Sequence, residues 1–576
     1  MADLNRTAVD PGKPITAIGR GSLGGKARGL VDIRSVLYSR LDLARFPGAT
    51  LVIPEMTVLC TDMFDHFMER NRLDEIANSG QPDERIALAF QKADLPLETL
   101  GSLRALMERV HSPLAVRSSS LLEDAEREPF AGIYQTKMIP NSQYDPDIRF
   151  RQLAEAIKFV YASTFFKAAR DYRQAINHQT SDEKMAVLIQ EVFGKRYLNR
   201  FYPELSGTAR SYNYYPMAPA RAEDGVVSLA LGLGKTIVDG GTAWTYSPAY
   251  PGVGPPFGSV KELLARTQND FWAVNMGDPA MPDPTRETEY LVQGDLAAAE
   301  KDGSLRLLAS TYDVQADRLS IGTGFKGPRA LTFAPLLLMK EAPINDLALD
   351  LLAICTEAMG GPVEIEFATT FNPTRFGFLQ VRRMAVSFKE VEIAEGELKA
   401  GGLLAATGSA LGNGIVDDIQ DIVYMRPEAF ALRHTLAIEP QLRQWNKKLL
   451  DQKRPYLLIA LGRLGTTDHW LGVPVQWGDV CGARAVIEVA QENVRVDLSQ
   501  GSHYFHNILG LGVKYFLMPY NNPTRVDWDW LDRQEAVEET QFLRHVRLPR
   551  PLLIKVDGRH SRGIILEPEV KKDERA

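Results

Sequence analysis

The sequence predicts a mixed α/β protein, and three observations carry that class. Apolar residues at Leu30, Ile33, Leu37 and Leu41 follow GRGSLGGKARG at helical spacing, so the glycine-rich stretch sits at or near a helix N-terminus. MAVLIQEVF, 185–193, and VVSLALGLG, 226–234, read as buried strands, the second running into glycines. PVEIEFA and FGFLQVRRM flank TTFNPTR, whose Asn372-Pro373 is a turn signal, and together they read as a β-hairpin.

The chain has 576 residues, room for roughly three or four ordinary domains. It is 45% apolar and 24% charged, a composition that can bury large cores. A net charge of −7 argues against a general nucleic-acid binder, whose footprint would be basic. Cys60, Cys355 and Cys481 are too far apart for metal-ligand spacing or a disulfide framework, which suits a reducing cytoplasm. The N-terminal residues carry no apolar h-region, and no apolar run reaches eighteen residues, so neither a signal peptide nor a membrane span is expected. Residues 150–176 read as a helix with Leu153, Ile157 and Val160 on one face. The glycine- and alanine-rich stretch at 396–414 is taken as the boundary of a second region, so the expected units are 15–385 and 400–570.

Three stretches carry chemistry. In LAVRSSSLLE, 114–123, the apolar run ending at Val116 reads as a strand end. Arg117 then starts a loop whose Ser118, Ser119 and Ser120 can wrap an anion, polyphosphate being the obvious candidate. An ordinary serine-rich turn with a surface arginine reads the same way. Lys26 follows two glycines at a helix start, where a phosphate can approach the backbone, although an exposed helix-start lysine gives the same pattern. On the hairpin, Val363, Ile365 and Phe367 share one face with Leu379 and Val381, while Glu364, Glu366, Gln380 and Arg382 share the other. Carboxylates about 7 Å apart along one strand can hold Mg²⁺, and Arg382 can meet a phosphate bidentately; a solvent-facing hairpin with a cross-strand ion pair is the alternative.

GGKARGL, AVRSSSLLEDAEREPFAG, VLIQEVF, ELSGTARSYN, LGLGKTIVDGG, EIEFA and FLQVRR, in that order, resemble the N-terminal nucleotide-binding region of phosphoenolpyruvate synthase and pyruvate phosphate dikinase, an ATP-grasp fold. The resemblance covers roughly residues 15–385 and implies ATP bound between two α/β lobes with Mg²⁺ at the phosphates. By that resemblance Lys26 and Arg117 match phosphate-contacting positions; Ser118, from the anion-wrapping serines beside Arg117, joins them as a cofactor-binding candidate. Gln190 lies on the strand lining the adenine pocket, followed by Glu191. Glu366, Gln380 and Arg382 match positions that hold metal and the transferred phosphoryl group, and Glu364 joins the metal candidates from its shared face. Lys235 stands where the synthases usually have an acid, and is expected to contact phosphate or to change which nucleotide group is read.

About 190 residues follow position 385, too few for a swivelling domain plus a barrel of about 250 residues. No T-S-H-A string, the usual setting of the family's phosphorylatable histidine, is present. DIVYMRPEAF, 421–430, weakly resembles a strand and turn of the swivelling domain, and 454–489 holds two apolar runs around a glycine-, threonine- and proline-rich loop. His503, after Gly501 and Ser502 at an expected helix start, is the nearest analogue of a phosphohistidine turn, with His506 three residues on and His469 in the other loop. These also fit as ordinary polar or packing histidines. Arg117, Arg382 and His503 are therefore the catalytic candidates. The function implied is ATP-dependent phosphoryl transfer to an unidentified small molecule or protein. The alternative is a regulatory or partner-dependent ATP-binding protein, with a partner chain or a homo-oligomer left open.

Overall fold

The computed structural model describes residues 15–568 except 121–131, 176–182, 215, 217, 256, 258, 278–280, 385–390, 467, 491–503, 506, 507, 509–511, 519–525 and 559. His503, His506, Gly501, Ser502, Asp497 and the acidic half of AVRSSSLLEDAEREPFAG lie outside the described residues.

Two sheets frame the first four hundred residues. A five-stranded sheet runs in the order Ile15–Ile18, Met56–Leu59, Met185–Glu191, Leu114–Ser120, Thr136–Ile139, with only the first pair parallel. A six-stranded sheet runs Trp244–Tyr246, Val226–Ala230, Leu205–Arg210, Val363–Thr370, Thr374–Arg383, Ala49–Val52, antiparallel except for the last pair. The helix Gly24–Arg40 contacts both sheets. Its buried face, Ala27, Leu30, Ile33 and Leu37, shares a core with Val363, Ile365 and Val381. Gly24 is required at the helix start: its φ is +75°, and a Cβ there would lie 1.6 Å from the Ser119 carbonyl oxygen.

Three expectations change. The serines after Arg117 do not form a loop. Leu114–Ser120 is one continuous strand, paired with Met185–Glu191 along its whole length and with Thr136–Ile139 up to Arg117, and Ser118, Ser119 and Ser120 are fully buried in it. Their hydroxyls serve the fold: Ser119 accepts from the Ala27 N–H at 3.2 Å and donates to the Leu23 carbonyl at 2.9 Å, pinning the glycine-rich helix start to the strand. The helix expected over 150–176 is two helices, Pro146–Ser163 and Lys167–Ala175. Phe165 and Phe166 are both buried in the break, and Asp83 caps the restart by accepting from the Lys167 N–H at 2.7 Å. The hairpin is not a solvent-facing ribbon but the middle of the six-stranded sheet. Its register breaks between Glu366 and Phe367, where Glu366 pairs with Gln380 and Phe367 with Phe378. Leu379 is the extra residue of this bulge, so it leaves the core face it was expected to share with Val381, and Phe378 takes that face.

After residue 400 a seven-stranded sheet carries four parallel neighbours, Asp421–Met425, Tyr456–Leu461, Ala483–Val489 and Lys514–Met518. The two apolar runs of 454–489 are thus adjacent strands. Apolar packing does not stop at 396–414: one core cluster joins Phe64, Tyr161 and Phe165 to Trp477, Tyr504 and Phe505. All three cysteines are unpaired and buried, and burial pushes each thiol up to about 12, so none is a ready nucleophile. Among the described residues no helix is long and apolar enough to cross a membrane.

Glu488, in the interior strand Ala483–Val489, is 1% exposed, and burial pushes its carboxyl up to about 7. The folded chain holds this proton through a range in which the unfolded chain has released it. Stability from Glu488 is therefore full below about pH 4.5 and is lost as pH rises toward 7. Glu488→Gln keeps the oxygen that accepts from the Leu464 N–H. It is expected to gain roughly 3 kcal/mol over the native chain at pH 8 and little at pH 4.5, as read by urea denaturation at both values.

Candidate functional site

A cavity of about 340 Å³ lies between the two sheets and is lined by residues of both. One end is apolar. Ala115, Val192 and Leu233 belong to one small buried cluster with Met138 and Leu291, and all five line the cavity. A flat aromatic base suits such a slot. Gln190, in the strand Met185–Glu191, lines the same space and is 3% exposed; its side-chain N–H₂ has no hydrogen-bond partner among the described residues. A buried donor without a partner costs stability unless a ligand accepts from it. Glu191 also lines the cavity, with its carboxylate taken by the Ser112 hydroxyl.

The other end gathers charge. Lys26, in the first turn of Gly24–Arg40, lines the cavity and donates to the Ser118 carbonyl and hydroxyl at 3.2 Å each. Ser118 itself is not among the lining residues. It lies beneath Lys26 and orients it, a correction to its reading as a phosphate contact. Arg117 lines the cavity from the neighbouring strand position and donates from one nitrogen to Gln380 Oε1 at 2.6 Å and to Glu366 Oε2 at 3.2 Å. Glu366 and Gln380 are register partners across the hairpin, which explains why one guanidinium reaches both.

Arg382 lines the cavity and is held from behind. Its guanidinium makes two hydrogen bonds to Glu364 Oε1, at 3.1 and 2.7 Å, while Arg210 grips the other carboxylate oxygen. Glu364 is 2% exposed and absent from the lining, so its proposed place among metal ligands is corrected: it anchors two arginines. The strand alternation put it on the correct face, but Arg210, on the adjacent strand Leu205–Arg210, claims it; register places Arg210 opposite Glu364.

Glu366 and Gln380 remain the candidate donors for Mg²⁺. A carboxylate and an amide oxygen side by side suit an ion that takes one or two protein ligands and completes its shell with phosphate oxygens and water. The Arg117 guanidinium now bridges the same two oxygens, a positive charge standing where a metal would. Among the described residues no cluster of three or more His, Cys, Asp and Glu side chains is placed to hold a metal by itself.

Lys235 lines the cavity between Asp239 at 2.9 Å and Glu287 at 3.2 Å. Burial works to lower its ammonium, but the two carboxylates outweigh it and hold the group above its ordinary value, so it is a fixed positive charge. Sequence reasoning missed Asp239, Glu287 and Arg210. Arg210 stood inside the quoted motif ELSGTARSYN; Glu287 had no signal, since only the return of its loop brings it to Lys235. His469 is not among the lining residues and packs against Trp470.

Two sheets closing on a cavity with an apolar slot and a cationic end define a nucleotide-binding fold of the ATP-grasp type. The chain belongs to the family described as pyruvate phosphate dikinase, AMP/ATP-binding domain, which matches residues 20–400. A stretch of 202 residues, 35% of this chain, is 27% identical to the uncharacterized phosphotransferase YvkC of Bacillus subtilis (strain 168). That match spans 22% of the relative's length. At the level of the family, AMP/ATP binding is supported for this part of the chain.

Proposed function

We propose that the protein is an ATP-dependent phosphotransferase that binds Mg-ATP in the cavity between the two sheets and passes a phosphoryl group to an acceptor not yet identified. Residues 15–385 form the nucleotide unit in this reading and 400–570 a second unit docked on it. The observation that carries it is the convergence of Lys26, Arg117 and Arg382 on the end of the cavity where Glu366 and Gln380 present oxygen donors. The apolar slot with the unpartnered Gln190 amide takes the base, and the cationic end takes the phosphates.

Most of the acceleration in phosphoryl transfer comes from positioning and charge neutralisation, which these side chains are built to supply. Arg382 arrives pre-aimed, because Glu364 fixes its fork before any ligand enters. Arg117 exchanges its contacts with Glu366 and Gln380 for phosphate oxygens. Lys26 contributes a point charge at a helix start, where anions are already stabilised. Mg²⁺ bound by Glu366 and Gln380 supplies neutralisation of the phosphate oxygens. His503 remains a proposed phosphoryl carrier on its sequence setting alone.

Arg117→Ala and Lys26→Ala are each expected to weaken ATP binding by about 1.5–3 kcal/mol, measured by calorimetry. Unchanged affinity in both variants would sink the site. Product analysis with ATP labelled at the β and γ positions, run with candidate acceptors, tests turnover: AMP release supports dikinase-type transfer. Tight binding with no product under any condition favours the regulatory alternative.

A further inference from the structure

One residue beyond position 382 lines the cavity among the described residues: Gln476, exposed at its mouth, comes from the C-terminal region. Its loop is fixed from both sides. The Gln476 N–H donates to Asp479 at 2.9 Å, and Arg443 donates to the same carboxylate at 2.8 Å. The following turn lies against the helix Lys167–Ala175. A Cβ on Gly478 would stand 3.4 Å from the Ala168 Cα, and the Cys481 thiol reaches the Asp171 carbonyl at 3.8 Å. Trp477, 2% exposed, anchors the loop in the core that joins both regions.

A second contact reaches the cavity by a separate route. The Arg210 guanidinium lies 5.1 Å from the centre of the Phe505 ring, and Phe505 meets Tyr214 edge-on at 5.8 Å. Arg210 grips Glu364, and Glu364 holds Arg382 on the cavity wall. The C-terminal region thus touches the mouth directly through Gln476 and the cationic end at third hand through Phe505.

We propose that Gln476 is a nucleotide-positioning residue supplied by the C-terminal region, and that nucleotide binding is thereby coupled to the docking of that region on the helix Lys167–Ala175. The inference rests on the nucleotide reading of the cavity. The amide can donate to a phosphate or ribose oxygen and, unlike the arginines, adds no charge. A ligand that bridges the cavity wall and Gln476 strengthens the docking, and by linkage the docking strengthens the ligand to the same extent.

The test is calorimetric binding of Mg-ATP and of adenosine to the full chain and its variants. Gln476→Ala is expected to weaken ATP roughly three- to tenfold, the effect of one hydrogen bond. Gln476→Glu should weaken ATP further while leaving adenosine at the alanine value, a dependence on ligand charge that a merely structural role would not produce. Gly478→Trp wedges the turn off Ala168 and should weaken ATP at least as much as Gln476→Ala, with no added loss when the two are combined. ATP affinity unchanged across the Gln476 series, or an equal loss from Gln476→Ala with and without the wedge, overturns the proposal. If the wedge variant does not fold, the Gln476 series decides alone. Failure of the native chain to bind ATP overturns the nucleotide reading together with this one, whereas a binding native chain with indifferent variants overturns this one only.

Discussion

Glu364→Ala is expected to destabilise the protein by about 3–5 kcal/mol, the largest effect of any single change at this site. Glu364 is the only carboxylate hydrogen-bonded to both Arg210 and Arg382 among the described residues, and all three side chains are buried. Burial already pulls the Arg210 guanidinium below its ordinary value, against the pull of Glu364. Removing the acid takes away the buried carboxylate that these two guanidiniums share. The urea midpoint should fall accordingly, and ATP affinity should fall with it because Arg382 loses its brace. Glu364→Gln, which keeps an acceptor without the charge, should fall in between. A variant with the native urea midpoint that has lost its dependence on Mg²⁺ would return Glu364 to the metal ligands.

Glu366→Ala should behave in the opposite way. Its side chain is 17% exposed, and its ion pair with Arg117 is partly screened, so the folding cost is about 1 kcal/mol or less. Arg117 keeps its hydrogen bond to Gln380. The loss falls on the metal: changes one shell further out commonly cost 10- to 100-fold in metal affinity, so removing the ligand itself should cost about a hundredfold or more. The readout is the Mg²⁺ concentration at half-maximal ATP binding, followed by calorimetry, together with product formation. Unfolding of Glu366→Ala, or an unshifted Mg²⁺ requirement, would show that this face of the hairpin does not present a metal ligand. The pair of variants is most informative together, because Glu364 and Glu366 are two residues apart on one strand and are assigned opposite roles.

That contrast marks how far the sequence could be read. Strand alternation put Glu364, Glu366, Gln380 and Arg382 on one face, and the register of the hairpin agrees. Alternation says nothing about which of four like-facing groups is claimed by a neighbouring strand, and Arg210 is more than 150 residues from Glu364 in the chain. The position of Leu379 was misread for a related reason: a bulge moves side chains by one face without leaving a mark in local composition. The serines after Arg117 were misread because small hydroxyl residues suit turns in isolation, and only the arrival of Gly24 and Lys26 shows what a row of small buried residues is for.

The sequence by itself determined the α/β class, the helix after the glycines, the strands Met185–Glu191 and Val226–Ala230, the hairpin and the order of motifs that marks the family. These follow from hydrophobic period, turn chemistry and motif order, which local residues express directly. Only the tertiary structure decided that Ser118 supports Lys26 and does not line the cavity, that Arg117 bridges Glu366 and Gln380, that Lys235 is clamped by Asp239 and Glu287, and that Gln476 reaches the cavity from the far end of the chain. Each of these depends on which distant strand or loop arrives beside a side chain. That is set by how buried faces close on one another over hundreds of residues, and no short window of sequence contains it.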